Sequence, residues 1–428
     1  MRYKKLLFLG ITFTAFAANG FAQQVLTTDT LRISRDSAES LFLHNNYQLL
    51  AQQYNIDATK ALEIQAKLYP NPNLALAQGP LIPTKDPTAN FIRNASTSGS
   101  LSQLILLAGK RNKQVKLAQA NTKLAEYQFF DLIRTLKYTL RNDFYNIYYL
   151  RQSAKAYNEE INSLKHVDSA YRQMSSDGKG YISEKEIIRV RAQLYTLQGE
   201  YNDLLNQIND AESELKLVLQ AKPTAFIDPD VDSIAIAALN PIKYPLAVLV
   251  DTAYQNRTDL MIAKANTNIG KLNYDYQKSL AVPDLSLSLS YDQQGSYVNN
   301  FTSLGVAMDL PFFNRNQGNI KSAKITMDMN NATQKSTEAT VEENVYRALQ
   351  KALAQDKMLQ GIDTHFADDF ERLMNEVLIN YQKRNISLLD FLDFYDSYKQ
   401  NILQLNSIRY NRVSAFEDLN FYTGTNLF

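Results

Sequence analysis

The sequence predicts a mainly α-helical protein with a small β part, in which long coiled-coil α-helical hairpins carry four amphipathic β-strands in each protomer. Three observations predict this fold. The stretch 110–174 contains neither proline nor glycine, so nothing in it interrupts a helix. Elsewhere leucine and valine alternate with serine, alanine and glycine, which is the period of a β-strand. The same order of segments occurs twice along the chain.

The composition excludes several classes of protein. Of the 428 residues, 45% are hydrophobic and 21% are charged, so the chain can bury a sizeable core and is not expected to be disordered. It contains no cysteine and three histidines that are far apart, which excludes disulfide scaffolds and thiolate chemistry and indicates neither a metal site nor a cofactor. A formal charge of +1 provides no basic surface, so no nucleic-acid partner is expected.

The first 22 residues are predicted to be a secretory signal peptide. Basic residues precede an apolar run over 6–18, and Gly20 and Ala22 supply the small residues that cleavage before Gln23 requires. The apolar run is shorter than the ~20 residues of a membrane-spanning helix, which disfavours a transmembrane anchor. We therefore expect the mature chain to be exported.

The mature chain is predicted to consist of two copies of one structural unit. Residues 72–76 (PNLAL) resemble 283–287 (PDLSL), and 181–183 (YIS) align with 385–387 (NIS). The offset between such pairs stays near 200–210 residues, and a roughly constant offset indicates an internal repeat. The predicted divisions are a first structural repeat over 23–221, a proline-rich linker over 222–245 and a second structural repeat over 246–428.

Each repeat is predicted to contain a helix, two strands, a very long helix, a short turn and a final long helix. In the final helix of the first repeat, apolar residues from Ile187 to Val218 recur three and four positions apart, as in a coiled-coil seam. A comparable seam runs from Phe391 to Leu419 in the second repeat. The long helices are predicted over 109–174, 184–220, 317–380 and 388–422.

The strand pattern is clearest in the second repeat, where leucine alternates with serine. Such a strand has one apolar and one small polar face, which is typical of a strand that separates lipid from an aqueous lumen. A half-buried hairpin of a soluble protein is the alternative. The strands are predicted over 72–82, 93–106, 283–294 and 300–310. The side chains expected to face lipid are those of Leu285, Leu287, Leu289, Tyr291, Leu304, Val306, Met308 and Leu310.

This order of elements behind a signal peptide resembles the TolC family of outer-membrane efflux proteins over 36–424. The most specific part of the resemblance is 381–393 (YQKRNISLLDFLD), in which a tyrosine, a turn, a serine and an Asp-x-x-Asp sequence open the last long helix. A second part, 310–318 (LPFFNRNQG), is similar to the strand-to-helix junction of the CzcC-like branch, which handles heavy-metal cations.

The resemblance implies a homotrimer whose twelve strands form a barrel in the outer membrane and whose twelve helices form a tunnel in the periplasm. Such a trimeric α/β-barrel is the exit duct of a tripartite efflux system. It exports small molecules or metal cations passively, opens at the periplasmic helical tips and is not an enzyme. A periplasmic adaptor (membrane fusion) protein docks on the tips, and an inner-membrane pump of the RND type supplies the energy. The location implied is the cell outer membrane, in contact with its lipid.

The acidic entrance ring of the family corresponds to Asp390 and Asp393. Repeated by threefold symmetry, these carboxylates are expected to line the periplasmic mouth, where a ring of acids selects and binds cations. The alternative is that two acids at the start of a helix complement its dipole. The chain departs from the family at 383–385 (KRN), where a glycine is usual, and at Ile386, where arginine is usual.

The tips, where the adaptor is expected to dock, contain residues from both repeats. These residues are Tyr171, Tyr181, Ser183, Tyr381, Arg384, Asn385 and Ser387. The first-repeat turn also includes 175–186, which looks like an EF-hand loop with Gly180 and Glu186 at its sixth and twelfth positions. Calcium binding is not expected, because Ser175 and Lys179 stand where strong oxygen ligands belong.

Two other classes of function account for less of the sequence. One is a periplasmic coiled-coil protein with a structural or adhesive role and no channel activity. This function does not explain the apolar strand face over 285–291. A secreted enzyme needs a nucleophile with its base or a cluster of metal ligands, and the sequence shows neither.

Overall fold

The computed structural model describes residues 30–79, 96–176, 183–295, 297–362 and 366–428. The described chain is mainly helical and contains two small sheets. The expected signal peptide over 1–22 lies outside the described residues, as do the ends of the strands expected over 72–82 and 93–106. Within the described ranges, no helix is both long and apolar enough to cross a membrane.

The first half of the chain begins with a short strand and two helices, continues through two strands and ends with two long helices. These elements are β1 (Thr30–Ser34), α1 (Arg35–Asn45), α2 (Tyr47–Lys67), β2 (Asn73–Gly79), β3 (Ser96–Ile105), α3 (Lys110–Ser176) and α4 (Glu184–Leu219).

The second half repeats the order of helix, two strands and long helices after a short irregular region. Its elements are β4 (Phe226–Asp230), α5 (Ser233–Ala237), a 3-10 turn (Pro241–Lys243), α6 (Leu246–Asn256), α7 (Thr258–Leu280), β5 (Leu285–Asp292), β6 (Phe301–Met308), α8 (Gln317–Gln360), α9 (Phe366–Gln382) and α10 (Leu388–Thr423).

Side chains and backbone conformations account for several helix ends. The Asn46 side chain accepts hydrogen bonds from the backbone N–H groups of Gln48 and Leu49, which satisfies the first turn of α2. Gln220 and Gly424 adopt the left-handed conformation that commonly ends a helix, and they follow α4 and α10 respectively.

The single helix expected over 317–380 is two helices in the structure. α8 ends at Gln360, and the N–H of Gly361 donates to the carbonyl of Lys357. Glycine is a poor helix former, so the chain is weakest for helix at this point. The apolar period runs on through α9, which is why periodicity alone does not reveal the interruption.

The segment expected to be a linker, 222–245, contains β4, α5 and the 3-10 turn. β4 pairs in parallel with β1, so that Leu31 lies opposite Ile227. Ile33 and Ile227 are both buried against the long helices. This pairing joins the start of the chain to its middle, and no local pattern in the sequence indicates it.

Three apolar clusters hold the helices together. The first lies between α3, α4, α9 and α10 and includes the fully buried Leu164 and Phe391. The second packs α1, β1 and β4 on α3 and α4 around Phe144. The third joins α6, α8 and α10 around Val345 and Phe416. The clusters fall on the expected seams, because residues three and four apart share one face of a helix.

The larger sheet has four antiparallel strands in the order β2-β3-β5-β6. The helices that adjoin the strands pack in a matching order, since α2 packs on α3, α3 on α7 and α7 on α8. Sheet and helices therefore form one elongated layer, with β2 and α2 at one edge and β6 and α8 at the other.

Candidate functional site

The larger sheet exposes one apolar face that crosses all four strands. Leu74, Leu101, Leu289 and Leu304 lie opposite one another in a single cross-strand row, and Leu304 is 86% exposed. All but one of the side chains expected to face lipid are exposed in this chain, namely Leu287, Leu289, Tyr291, Leu304, Val306, Met308 and Leu310. The exception, Leu285, is half-buried, and Leu310 lies just beyond the end of β6.

The first-half strands also contribute to this face, although their residues were not among those expected there. Leu74 and Leu76 are exposed on β2, and Leu101 is exposed on β3. The signal in the sequence is the alternation of Leu101 with Ser100 and Ser102, which is short and easily overlooked.

The opposite face of the sheet carries small residues. One cross-strand row consists of Ala75, Ser100, Ser290 and Ser303. In the next row, a β-carbon at Gly305 would lie 2.6 Å from Oγ of the neighbouring serine on β5. The sheet thus has large apolar side chains on one face and small, mostly polar side chains on the other. This is the pattern of a wall between lipid and water.

At the far end of the long helices, Tyr171 and Tyr381 join the two hairpins. The hydroxyl groups of these tyrosines are hydrogen-bonded to each other. Burial raises the pKa of Tyr381, and the hydrogen bond with Tyr171 raises that pKa further. The Tyr381 ring also stacks on Phe391, with centroids 4.3 Å apart. Both tyrosines therefore pack between the hairpins.

Backbone hydrogen bonds close the turn between α9 and α10, and a residue other than glycine adopts its left-handed conformation. Arg384 has a φ of 61°, in the left-handed region that favours glycine. The N–H of Arg384 donates to the carbonyl of Tyr381 at 2.9 Å, and the N–H of Asn385 donates to the carbonyl of Asn380 at 2.9 Å. The side chains of Arg384 and Asn385 are exposed.

The two expected ring aspartates have different environments. Asp390 forms a capping box with Ser387, in which the hydroxyl of Ser387 accepts from the N–H of Asp390 at 3.2 Å and the carboxylate accepts from the N–H of Ser387 at 3.3 Å. Asp393 lies about one turn further along α10 and is exposed. Both aspartates are exposed, but only Asp390 takes part in the cap of α10.

The tip of the first hairpin is described only in part. Ser183 precedes α4 in an extended conformation and makes no side-chain cap. Tyr181 lies outside the described residues, together with the rest of 177–182, which is half of the loop that resembles an EF-hand. Among the residues that are described, no group of acidic or histidine side chains is arranged to hold a metal ion.

A cavity of about 580 Å³ lies between the two hairpins at their tips. Its lining is largely apolar and includes Val167, Met174 and Leu378, while Glu186 and Arg384 contribute charge. The two hairpins thus leave a cleft between them at their tips.

Further along the hairpins, a buried lysine forms ion pairs with a carboxylate of each hairpin. Nζ of Lys399 on α10 lies 2.9 Å from the Glu200 carboxylate on α4 and 3.0 Å from the Asp396 carboxylate on its own helix. The Lys399 side chain is only 1% exposed. This group was not among the expected functional residues, although Lys399 follows Tyr395 at helical spacing within the seam.

Comparisons with known proteins agree with this geometry. Residues 249–425 match the family model described as outer membrane efflux protein. The chain is 20% identical to the cobalt-zinc-cadmium resistance protein CzcC of Cupriavidus metallidurans over 365 residues, which cover 84% of this chain and 82% of the relative.

Solved outer-membrane channels share the fold. The Campylobacter jejuni CmeC channel matches with a TM-score of 0.71 at 17% identity, covering 92% of this chain and 86% of its own. The CusC structure matches with a TM-score of 0.72 at 16% identity, covering 93% and 94%. The open state of Neisseria gonorrhoeae MtrE matches with a TM-score of 0.69 at 16% identity, covering 92% and 89%. Residues 249–425 thus match the outer membrane efflux protein family, and the chain as a whole is similar in sequence to CzcC and in fold to solved outer-membrane channels.

Proposed function

We propose that the protein is the outer-membrane exit duct of a tripartite efflux system and exports its cargo passively. The observation that carries the proposal is the sheet with one continuous apolar face and one small polar face, joined directly to long paired helices. In the outer membrane, this sheet would form part of the wall of a pore. The helices would extend the pore into the periplasm.

Closure of the pore would come from three copies of the chain. Both edge strands, β2 and β6, pair on one side only within the described chain, and an open edge in lipid is very costly. A four-stranded sheet from each of three copies would supply the twelve strands of one barrel. The exposed Tyr47, Leu50 and Tyr54 recur on one face of the edge helix α2, where α8 of the next copy would cover them.

The repeat offers a reason why the two halves have the same order of elements. We propose that 23–221 and 246–428 are two copies of one unit, with 222–245 between them. Duplication of a helix-strand-strand-helix unit would give one protomer two adjacent segments of the wall of the same pore. The matching order of β2-β3-β5-β6 and α2-α3-α7-α8 supports this reading.

An adaptor protein and an inner-membrane pump would complete the system. The exposed side chains of Arg384 and Asn385 would meet the adaptor, together with Ser183, Ser387 and Tyr181. Tyr171 and Tyr381 pack against each other, so they would position the hairpins rather than touch the adaptor. The name of the relative CzcC points to divalent metal cations as the cargo, and Asp390 and Asp393 at the mouth would favour cations over anions.

The test is conduction by the purified full chain. We expect detergent to be needed to extract the protein from outer membranes, and we expect the purified trimer to conduct ions across a planar bilayer. Recovery of a water-soluble monomer in a salt wash, without any conductance, would refute the proposal. That result would favour the structural coiled-coil protein instead.

A further inference from the structure

Glu160 on α3 is a buried carboxyl group without a hydrogen-bond partner. The residue is 1% exposed, and neither oxygen of its side chain makes a hydrogen bond. Burial of an ionised carboxylate in this state is very unfavourable. Nothing in the apolar seam requires an acid here, so the group is expected to have a role of its own.

The groups that face Glu160 come from three helices. Glu200 faces it from α4, and Lys399, Asp396 and Tyr395 face it from α10. The Lys399 ammonium is already shared by Glu200 and Asp396. Tyr157, one turn before Glu160 on α3, holds its ring 5.5 Å from Nζ of Lys399. The hydroxyl of Tyr395 donates to Ser163 at 3.2 Å.

This surrounding favours the protonated form of Glu160 at moderately acidic pH. Burial raises the pKa of Glu160 to about 7, and Lys399 lowers it only in part because Asp396 and Glu200 oppose the lysine. The group therefore changes charge close to neutral pH. Ionisation would add one more negative charge beside a buried ammonium that two partly exposed carboxylates already share.

This layer of charged groups lies where the two hairpins meet. Glu160 and Glu200 belong to the first hairpin, and Lys399 belongs to the second. Glu160 is eleven residues from Tyr171, or roughly 17 Å along the helix. The charged layer and the tyrosine pair are thus two separate contacts between the same hairpins.

We propose that Glu160 is a proton-operated latch between the hairpins, which holds α10 against α3 and α4 when neutral and loosens that contact when ionised. That the latch helps to open the mouth rests on the proposed function, whereas the contact itself does not. The expected direction follows from proton linkage. An arrangement in which an acid has a raised pKa is favoured at low pH, and its advantage is lost as the pH rises from 4.5 to about 7.

The chain contains no cysteine, so the contact can be measured with a single introduced pair. Lys155 on α3 and Gln400 on α10 are exposed positions on opposite hairpins. Spin labels on Lys155→Cys and Gln400→Cys in the full-length protein report the distance between the hairpins. We expect a longer and broader distance at pH 8.5 than at pH 5.5, with the change complete by about pH 7 in accord with the raised pKa of Glu160.

Glu160→Gln should abolish this response and keep the short distance at both pH values. Two controls should retain it. Glu159→Gln removes the adjacent, exposed carboxylate. Asp143→Asn removes another acid on α3 that titrates in the same range, since burial raises the pKa of Asp143 to about 7. An unchanged distance in the parent protein, or loss of the response in either control, would overturn the latch.

Conductance of the same preparations separates this inference from the proposed function. A protein that conducts but shows no pH-dependent distance contradicts only the latch. A protein with the distance change and no conductance contradicts the duct and leaves the hairpin contact standing.

Discussion

At the scale of single residues, the tip shows how similar side chains acquire different roles. Asp390 and Asp393 are both exposed, yet only Asp390 is held in a capping box with Ser387. An N-terminal cap of this kind contributes ~1 kcal/mol to the helix. Helix capping therefore accounts for Asp390 without a pore, whereas it does not account for Asp393.

This difference makes Asp393→Asn the cleaner test of a cation ring. We expect the concentration of a divalent cation that half-blocks single-channel current to rise about tenfold, equivalent to ~1.4 kcal/mol of lost binding. Thermal stability should not change, since Asp393 does not cap the helix. Asp390→Asn should in addition lower stability, because it weakens the capping box.

Asp393→Glu is the matched control and should preserve the block, since it keeps the charge. If Asp393→Asn left the block unaltered, Asp393 would not lie at the mouth.

At the scale of elements, the paired helices depend on close approach at particular positions. A β-carbon at Gly270 on α7 would lie 2.9 Å from Nδ2 of Asn330 and 3.2 Å from Cα of Met327, both on α8. Backbone atoms cannot rotate out of the way as a side chain can. Gly270 thus sets the distance between α7 and α8.

Gly270→Ala should accordingly destabilise the protein by ~1–3 kcal/mol, the usual cost of overpacking. Gly199→Ala is the matched control, because Gly199 is also helical and a β-carbon there would meet no atom within 4 Å. It should leave stability unchanged or raise it by up to ~1 kcal/mol. Thermal unfolding measures both variants, and equal effects would show that the close approach is unimportant.

At the scale of the whole molecule, the proposed barrel assigns one face of the sheet to lipid and the other to the lumen. Ser303 and Leu304 are neighbours on β6 and point to opposite faces. A lysine on a lipid-facing side of a barrel costs ~2–4 kcal/mol near the bilayer centre, whereas a lumen-facing side tolerates charge.

Leu304→Lys should therefore reduce the amount of trimer recovered from outer membranes several-fold. Ser303→Lys should assemble normally and change the ion selectivity of the pore. Cross-linked trimer in membrane fractions measures assembly of both variants. Similar losses in the two variants would argue against a lipid-facing Leu304.

Elements whose cause is local could be predicted from the sequence alone. Alternation of leucine with serine specifies a two-faced strand at 285–292, and apolar residues three and four apart specify the seam of α4, since each period places its residues on one face. The motif of 381–393 likewise indicated a turn before the last long helix, and the structure has this turn between α9 and α10.

Features that depend on distant partners became evident in the folded protein alone. The pairing of β1 with β4 and the layer around Glu160 and Lys399 leave no local pattern, because their energies arise from residues far apart in the chain. A lysine in an apolar seam is unfavourable unless carboxylates neutralise it, and one of the two carboxylates that do so here, Glu200, lies on another helix. Short-range periodicity can assign a residue to a face of its helix, but the charge and burial of that face depend on what packs against it.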